Sequence, residues 1–212
     1  MTDSIELLTI VNDPISSNCH VFICPKSHHC FLVDPGSENG GYIDDIICRE
    51  KLVPDFIVLT HEHFDHIWSC QYFVDKYNIP IICSKACAEA ITRPKTNLSL
   101  FFDNQKAFSC PPATGIVEEM GYCLMWNSYL IRFFLATGHS CGGIMFLIEQ
   151  YLVTGDTLIQ GQRTVTKLHT GSKERQKESL SLLELFKGFG YTVCTGHGEN
   201  FGLDKYDLNK AI

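Results

Sequence analysis

Asp55-Phe-Ile-Val-Leu-Thr60 runs directly into His61-Glu-His-Phe-Asp-His66, so a β-branched and aromatic stretch ends in three imidazoles and a carboxylate within six residues. Core packing gives no reason for such a cluster, because ionisable side chains are seldom buried unless they are paired. Three other apolar runs end in the same way. Leu130-Ile-Arg-Phe-Phe-Leu-Ala-Thr137 leads to Gly138-His139, Tyr151-Leu-Val-Thr154 to Gly155-Asp156, and Tyr191-Thr-Val-Cys-Thr195 to Gly196-His197. Runs of this composition predict buried strands, so four strand ends deliver His or Asp to one place.

Working outward from the cluster, residues 5–11, 18–23 and 30–33 read as an opening meander, turned at Asn12-Asp-Pro and stopped at Asp34-Pro-Gly36. Residues 40–52 carry Ile43, Ile46 and Ile47 about one turn apart and predict an amphipathic helix. Beyond the cluster, 67–77 reads as a helix, 79–83 as a short strand and 84–91 as another helix. This alternation implies that the strand ending at His61 is buried on both faces. Residues 92–112, with Pro94, Pro111, Pro112 and the Phe101-Phe102 pair, predict a surface excursion that overhangs a cleft. Strands follow at 116–120, 124–126, 130–135, 144–148 and 151–153. A helix over 173–187 then has Leu180, Leu182, Leu183, Leu185 and Phe186 as its apolar face, before the last strand reaches His197. The expected architecture is an α/β fold of one domain: two mostly antiparallel sheets with helices outside, a four-layer α/β/β/α sandwich.

Composition narrows the function. The chain has 212 residues, 45% of them hydrophobic, which suits one substantial core. No apolar stretch approaches the roughly 20 residues that span a bilayer, and the N-terminal stretch Met1-Thr-Asp-Ser-Ile-Glu lacks a signal-peptide pattern, so a cytoplasmic location without membrane association is expected. Eleven cysteines form no C-x-x-C pair and several fall in strand-like runs, which predicts reduced, mostly buried thiols. With 24 acidic against 17 basic side chains and no basic run, a nucleic-acid partner is not expected; the partner is a small-molecule substrate.

Alternation places His61 and His63 on one side of the segment, which suits two nitrogens on one ion, while Asp65 and His66 point toward a second. Imidazole and carboxylate ligands without thiolate favour zinc, with iron or manganese also accommodated. The reading assigns His61, His63 and His139 to one ion, Asp65, His66 and His197 to the other, and Asp156 between them, with room for solvent on each as in a catalytic site. Taken singly, His139 or His197 would read as an ordinary histidine and Asp156 as a helix cap. The hexapeptide, which needs further ligands, makes them partners. Glu62 is read as a variable, solvent-facing position, and the segment is not the H-E-x-x-H of helical zinc proteases.

H-x-H-x-D-H at 61–66, Gly-His-Ser at 138–140, Gly-Asp-Thr-Leu at 155–158 and Gly-His-Gly at 196–198 resemble, in order and spacing, the metallo-β-lactamase-fold hydrolases, especially their glyoxalase II-like branch. The resemblance spans nearly the whole chain and implies the sandwich, a dinuclear centre of two divalent ions at the strand ends, and the ligand set above. It also implies that Asp34, in Val-Asp-Pro-Gly, supports the centre from behind. Such a centre activates water as a bridging hydroxide, with Asp65 as metal ligand and proton shuttle. A thiolate leaves without much protonation, so a thioester or activated ester is the easiest substrate. Glyoxalase II proper adds a C-terminal helical part that holds glutathione. Only 15 residues follow His197 here, so a glutathione-specific site is not expected. Residues 159–171, with Arg163, Lys167 and His169, offer a loop for substrate anions. Cys141 stands next to the centre or serves a tight turn. The competing readings are a mononuclear iron persulfide dioxygenase, a phosphodiesterase of the same fold and a non-catalytic metal-binding module.

Overall fold

The computed structural model describes residues 4–212; Met1, Thr2 and Asp3, part of the stretch read for a signal peptide, lie outside the described residues. The first sheet contains β1 (Glu6–Val11), β2 (Asn18–Ile23), β3 (His29–Val33), β4 (Val53–Val58), β5 (Ile81–Ser84) and β6 (Gly115–Val117), in that order across the sheet. The second contains β7 (Cys123–Trp126), β8 (Tyr129–Leu135), β9 (Ile144–Ile148), β10 (Tyr151–Gly155), β11 (Thr192–Thr195) and β12 (Phe201–Gly202), again in chain order.

The sheets are mixed, which corrects the expectation of mostly antiparallel pairing. In the first, β1, β2 and β3 form the antiparallel meander, but β3–β4, β4–β5 and β5–β6 are all parallel. Helices cause this. The helices α1 (Gly40–Arg49), α2 (Phe64–Ile67), α3 (Cys70–Tyr77) and α4 (Lys85–Ile91) lie between those strands, and a helical crossover returns the chain to the same end of the sheet. In the second sheet only β10–β11 is parallel, across α6 (Lys173–Glu184). A further correction concerns β6: it closes the first sheet beside β5 instead of opening the second.

Alternation along β4 explains the layering. Phe56 and Val58 join the core between the sheets, whereas Ile57 and Leu59 join the core under α1, α3 and α4. Between the sheets Phe31 stacks on Phe22 at 5.0 Å and on Phe56 at 4.9 Å, with Trp126 edge-on at 4.9 Å. A third core, including Leu152, Leu180, Leu183 and Val193, lies beneath α6. The four layers α/β/β/α follow from these three cores. Ser84 and Ser172 cap α4 and α6 by accepting from the N–H groups of Cys87 and Arg175. Leu185, expected on the buried face, is exposed because α6 ends at Glu184.

The helix expected over 67–77 begins earlier and is broken. Ser69 N–H bonds Pro35 O, while the Asp65 carbonyl that a continuous helix would offer it accepts from Ser17 Oγ instead. The break lets Asp65 and His66 face the strand ends. The 92–112 excursion holds the short helix α5 (Ser99–Phe102) and packs on the cluster: Asn97 O accepts from Phe64 N–H at 2.8 Å, and the Phe102 ring lies 4.7 Å from that of Phe64. All eleven cysteines are free thiols, most of them buried, as expected. No helix of the described residues is long and apolar enough to cross a membrane.

Candidate metal centre

Asp34 follows β3, the hexapeptide follows β4, His139 follows β8, Asp156 follows β10 and His197 follows β11. The strands therefore end together, and their terminal turns place seven side chains around one point. Ligand atoms of His61, His63 and His139 lie within 4.8 Å of one another, as do those of Asp65, His66 and His197. Asp156 stands between the triads: Oδ2 is 3.5 Å from His139 Nε2 and 3.6 Å from His197 Nε2, and Oδ1 is 3.6 Å from His66 Nε2. A glycine is required at 196, where a Cβ would meet Asp156 Oδ1 at 2.0 Å.

The outer nitrogens of these rings are already committed. His139 Nδ1–H donates to Val165 O at 2.8 Å, and His197 Nδ1–H donates to Ser16 O at 3.0 Å. His66 Nδ1–H donates to Asp34 Oδ2 at 3.0 Å. Thr60 Oγ1 gives its own proton to Asp34 Oδ2 at 2.6 Å and so accepts from His61 Nδ1–H at 3.0 Å. A carbonyl or carboxylate partner fixes the proton on Nδ1 and turns the Nε2 lone pair inward. Three of the inner atoms lack partners, and two pair only with each other. His61 Nε2, His66 Nε2 and Asp156 Oδ1 are buried without a hydrogen bond, and His139 Nε2 faces His63 Nδ1 at 2.9 Å. Unpartnered buried polar atoms converging on one point cost free energy that a cation removes, so the residues present fit divalent metal ions.

Electrostatics say the same. Burial, and then the neighbouring imidazoles His66, His63 and His139, hold His61 well below the usual histidine range; burial and His139 lower His63 to about 3. Both rings are neutral at neutral pH. For His66 burial opposes protonation, but Asp65, Asp156 and Asp34 outweigh it and raise the ring to about 10. A proton on His66 thus supplies the positive charge that the carboxylates demand when no cation does. Burial disfavours the charged form of Asp65 too, yet His66 and His197 hold it well below the usual carboxylate range. His197 and Asp65 remain partly accessible, whereas His61, His63 and His66 are buried, so the centre opens on the second triad's side.

Glu62 requires a correction. It was expected to face solvent, but it is 2% exposed, and its Oε2 accepts from Ser140 Oγ at 2.8 Å. Burial raises its pKa. Thr60, which links Asp34 to His61, was also not singled out from the sequence; a hydroxyl just before the cluster was the available signal. Arg163 and Lys167 stand exposed and outside the cluster, although their loop touches it through Val165 O and through Thr164 Oγ1, 3.4 Å from Asp156 O. Cys141 is half-buried, its Sγ 4.0 Å from Glu62 Oε1.

Known proteins resemble this chain in sequence and fold. The family model described as the metallo-beta-lactamase superfamily matches residues 12–197. The probable metallo-hydrolase YqgX of Bacillus subtilis is 28% identical over 94% of this chain and 93% of its own length. A hydroxyacylglutathione hydrolase of Hamiltonella defensa is 23% identical over 86% of this chain and 63% of that protein. Among solved structures, BLEG-1 B3 metallo-beta-lactamase superposes with a TM-score of 0.86 at 25% identity, covering 93% of this chain and 94% of that one.

Proposed function

The chain belongs to the metallo-beta-lactamase superfamily and carries the metal-binding cluster of a metal-dependent hydrolase, and from that premise we propose that it cleaves the thioester or activated ester of a small molecule. The observation that carries the proposal is the convergence of inward-turned ring nitrogens and two carboxylates, among which His61 Nε2, His66 Nε2 and Asp156 Oδ1 are buried without a hydrogen-bond partner. His61, His63 and His139 would hold one ion and Asp65, His66 and His197 the other, with Asp156 shared; zinc suits the donor set best, and iron or manganese would also be held. When bound, divalent ions supply Lewis acidity, bringing the pKa of water toward about 7 and polarising an acyl oxygen.

The protein's own groups do the rest. Neutral His61 and His63 present lone pairs at neutral pH, because burial disfavours their protonation. Asp34, reaching His66 directly and His61 through Thr60, keeps both rings turned inward. Asp65 is held ionised and partly accessible beside His197, which suits it to accept a hydrogen bond from the attacking water and orient it. Held ionised at neutral pH, Asp65 carries no proton to give a leaving group. The site therefore favours a leaving group that needs little protonation, and a thiolate, with an ordinary pKa near about 8.5, meets this better than an alkoxide or amide nitrogen. The hydroxyacylglutathione hydrolase relative supports this choice; an acidic balance without a basic surface run counts against a nucleic-acid substrate.

The test combines metal analysis with assays of thioesters, lactones and phosphodiesters on zinc, iron and manganese forms. Two ions per chain and turnover concentrated on thioesters are expected. A variant with His61→Ala and Asp65→Ala should lose metal and hydrolysis while remaining folded. A single ferrous ion with oxygen uptake, or turnover by metal-free protein, would overturn the proposal.

A further inference from the structure

Glu62 sits between His61 and His63, yet its carboxylate makes its strongest contact with another part of the chain. Oε2 accepts from Ser140 Oγ at 2.8 Å, and Ser140 directly follows His139. Oε1 lies 3.5 Å from Thr170 Oγ1, and that hydroxyl accepts from Cys141 N–H at 3.0 Å. Glu62 and Ser140 are 2% and 0% exposed. The turn after Ser140 is built around the carboxylate: a Cβ on Gly142 would meet Glu62 Oε2 at 2.3 Å. Burying a carboxylate costs more than burying an apolar side chain of the same size unless its partners compensate, so fold stability alone gives little reason for an acid here.

Its position does give one. The first triad is assembled from two segments about 80 residues apart, His61 and His63 on one and His139 on the other, and neither segment pairs with the other as a strand. The second triad takes Asp65 and His66 from the first segment but its third member from the turn at His197, which is fixed separately: Asn18 N–H donates to Gly196 O, and Asn18 Nδ2 donates to Gly198 O. We propose that Glu62, through its buried bond to Ser140, is a positioning residue that sets the separation of His61 and His63 from His139, and so governs divalent-cation binding at that triad without governing the Asp65–His66–His197 triad. This rests on the metal-dependent reading above. Removing a supporting group of this kind lowers metal affinity about 10–100-fold.

The experiment is a competition titration of the full chain with zinc against a chromophoric chelator, repeated with cobalt to record the visible spectrum of each site. It uses wild type, Glu62→Ala, Ser140→Ala and Glu62→Gln, each checked for folding by circular dichroism without metal. Wild type should show two classes of site. Ser140→Ala and Glu62→Ala should weaken one class about 10–100-fold and change its cobalt spectrum, leaving the other within about twofold. Glu62→Gln, whose amide oxygen can still accept from Ser140, should recover most of the loss. If Glu62→Ala fails to fold, Ser140→Ala decides. Two sites of unchanged affinity in folded Ser140→Ala, or equal weakening of both, would overturn the inference and leave the hydrolase reading standing. A wild-type chain that binds no divalent ion would sink both.

Discussion

Asp34→Asn is nearly isosteric and should still disarm the metal centre. Asp34 is 1% exposed and accepts three hydrogen bonds, from Thr60 N–H at 2.8 Å, Thr60 Oγ1–H at 2.6 Å and His66 Nδ1–H at 3.0 Å. An asparagine in its place has one acceptor oxygen and an amide that only donates. If the oxygen keeps Thr60 N–H, the amide faces Thr60 Oγ1 and His66 Nδ1. The hydroxyl can then accept from the amide and give its proton to His61 Nδ1, and His66 can move its proton to Nε2. Both rings would then point N–H groups at the centre where lone pairs are needed. If the amide is reversed, it opposes Thr60 N–H donor to donor. Either way the loss should match that of a missing supporting carboxylate, about 10–100-fold in metal affinity, or about 1.4–2.8 kcal/mol. An unsatisfied buried donor would add about 1–3 kcal/mol of lost stability to the metal-free protein. Chelator competition measures the first quantity, urea denaturation the second, and long-range proton–nitrogen NMR of the imidazoles reads the tautomers directly. Wild-type affinity with His61 and His66 still protonated on Nδ1 would refute the reasoning.

Metal binding at pH 6, below the pKa of about 7 toward which bound water is brought, should release at least about one proton, because the His66 ring is raised to about 10 and must give up its inner proton to become a ligand; calorimetry in two buffers of different ionisation enthalpy counts it, and zero release would contradict the charge assignment. His20, buried in β2 between Thr9 Oγ1 and Thr195 O, is lowered to about 4 by burial, against a bond to the Thr195 carbonyl that favours its charged form. Its folded pKa lies below the unfolded value, so the unfolded chain takes up the proton first; stability is intact above about pH 6.5 and falls by about 3 kcal/mol by pH 4. Urea melts across that range should be less steeply pH-dependent in His20→Gln, and an unchanged slope would assign the acid sensitivity elsewhere.

The candidate ligand residues, their strand-end positions and the four-layer architecture were legible in the sequence because each depends on local pattern. Apolar runs closed by Gly-His or Gly-Asp mark both a strand and its end, and Asp34 was legible as a turn residue with an acid to spare. The meander at 5–33 and the helix at 84–91 were also readable, since periodicity and capping are short-range properties. The sense of strand pairing was less so: helical crossovers were visible, but whether 115–117 completes the first sheet or opens the second depends on which edge is free.

What the chain determined by itself was therefore the set of candidate donors and the elements that carry them, because these follow from residue type and spacing within a few positions. Folding alone decided that Glu62 turns inward to a serine 78 residues away, that Thr60 relays Asp34 to His61, and that Asp65 faces the centre through a helix broken at Ser69. Burial and hydrogen-bond partnership are relations between distant segments. No local pattern encodes them until the two sheets have packed and brought their strand ends together.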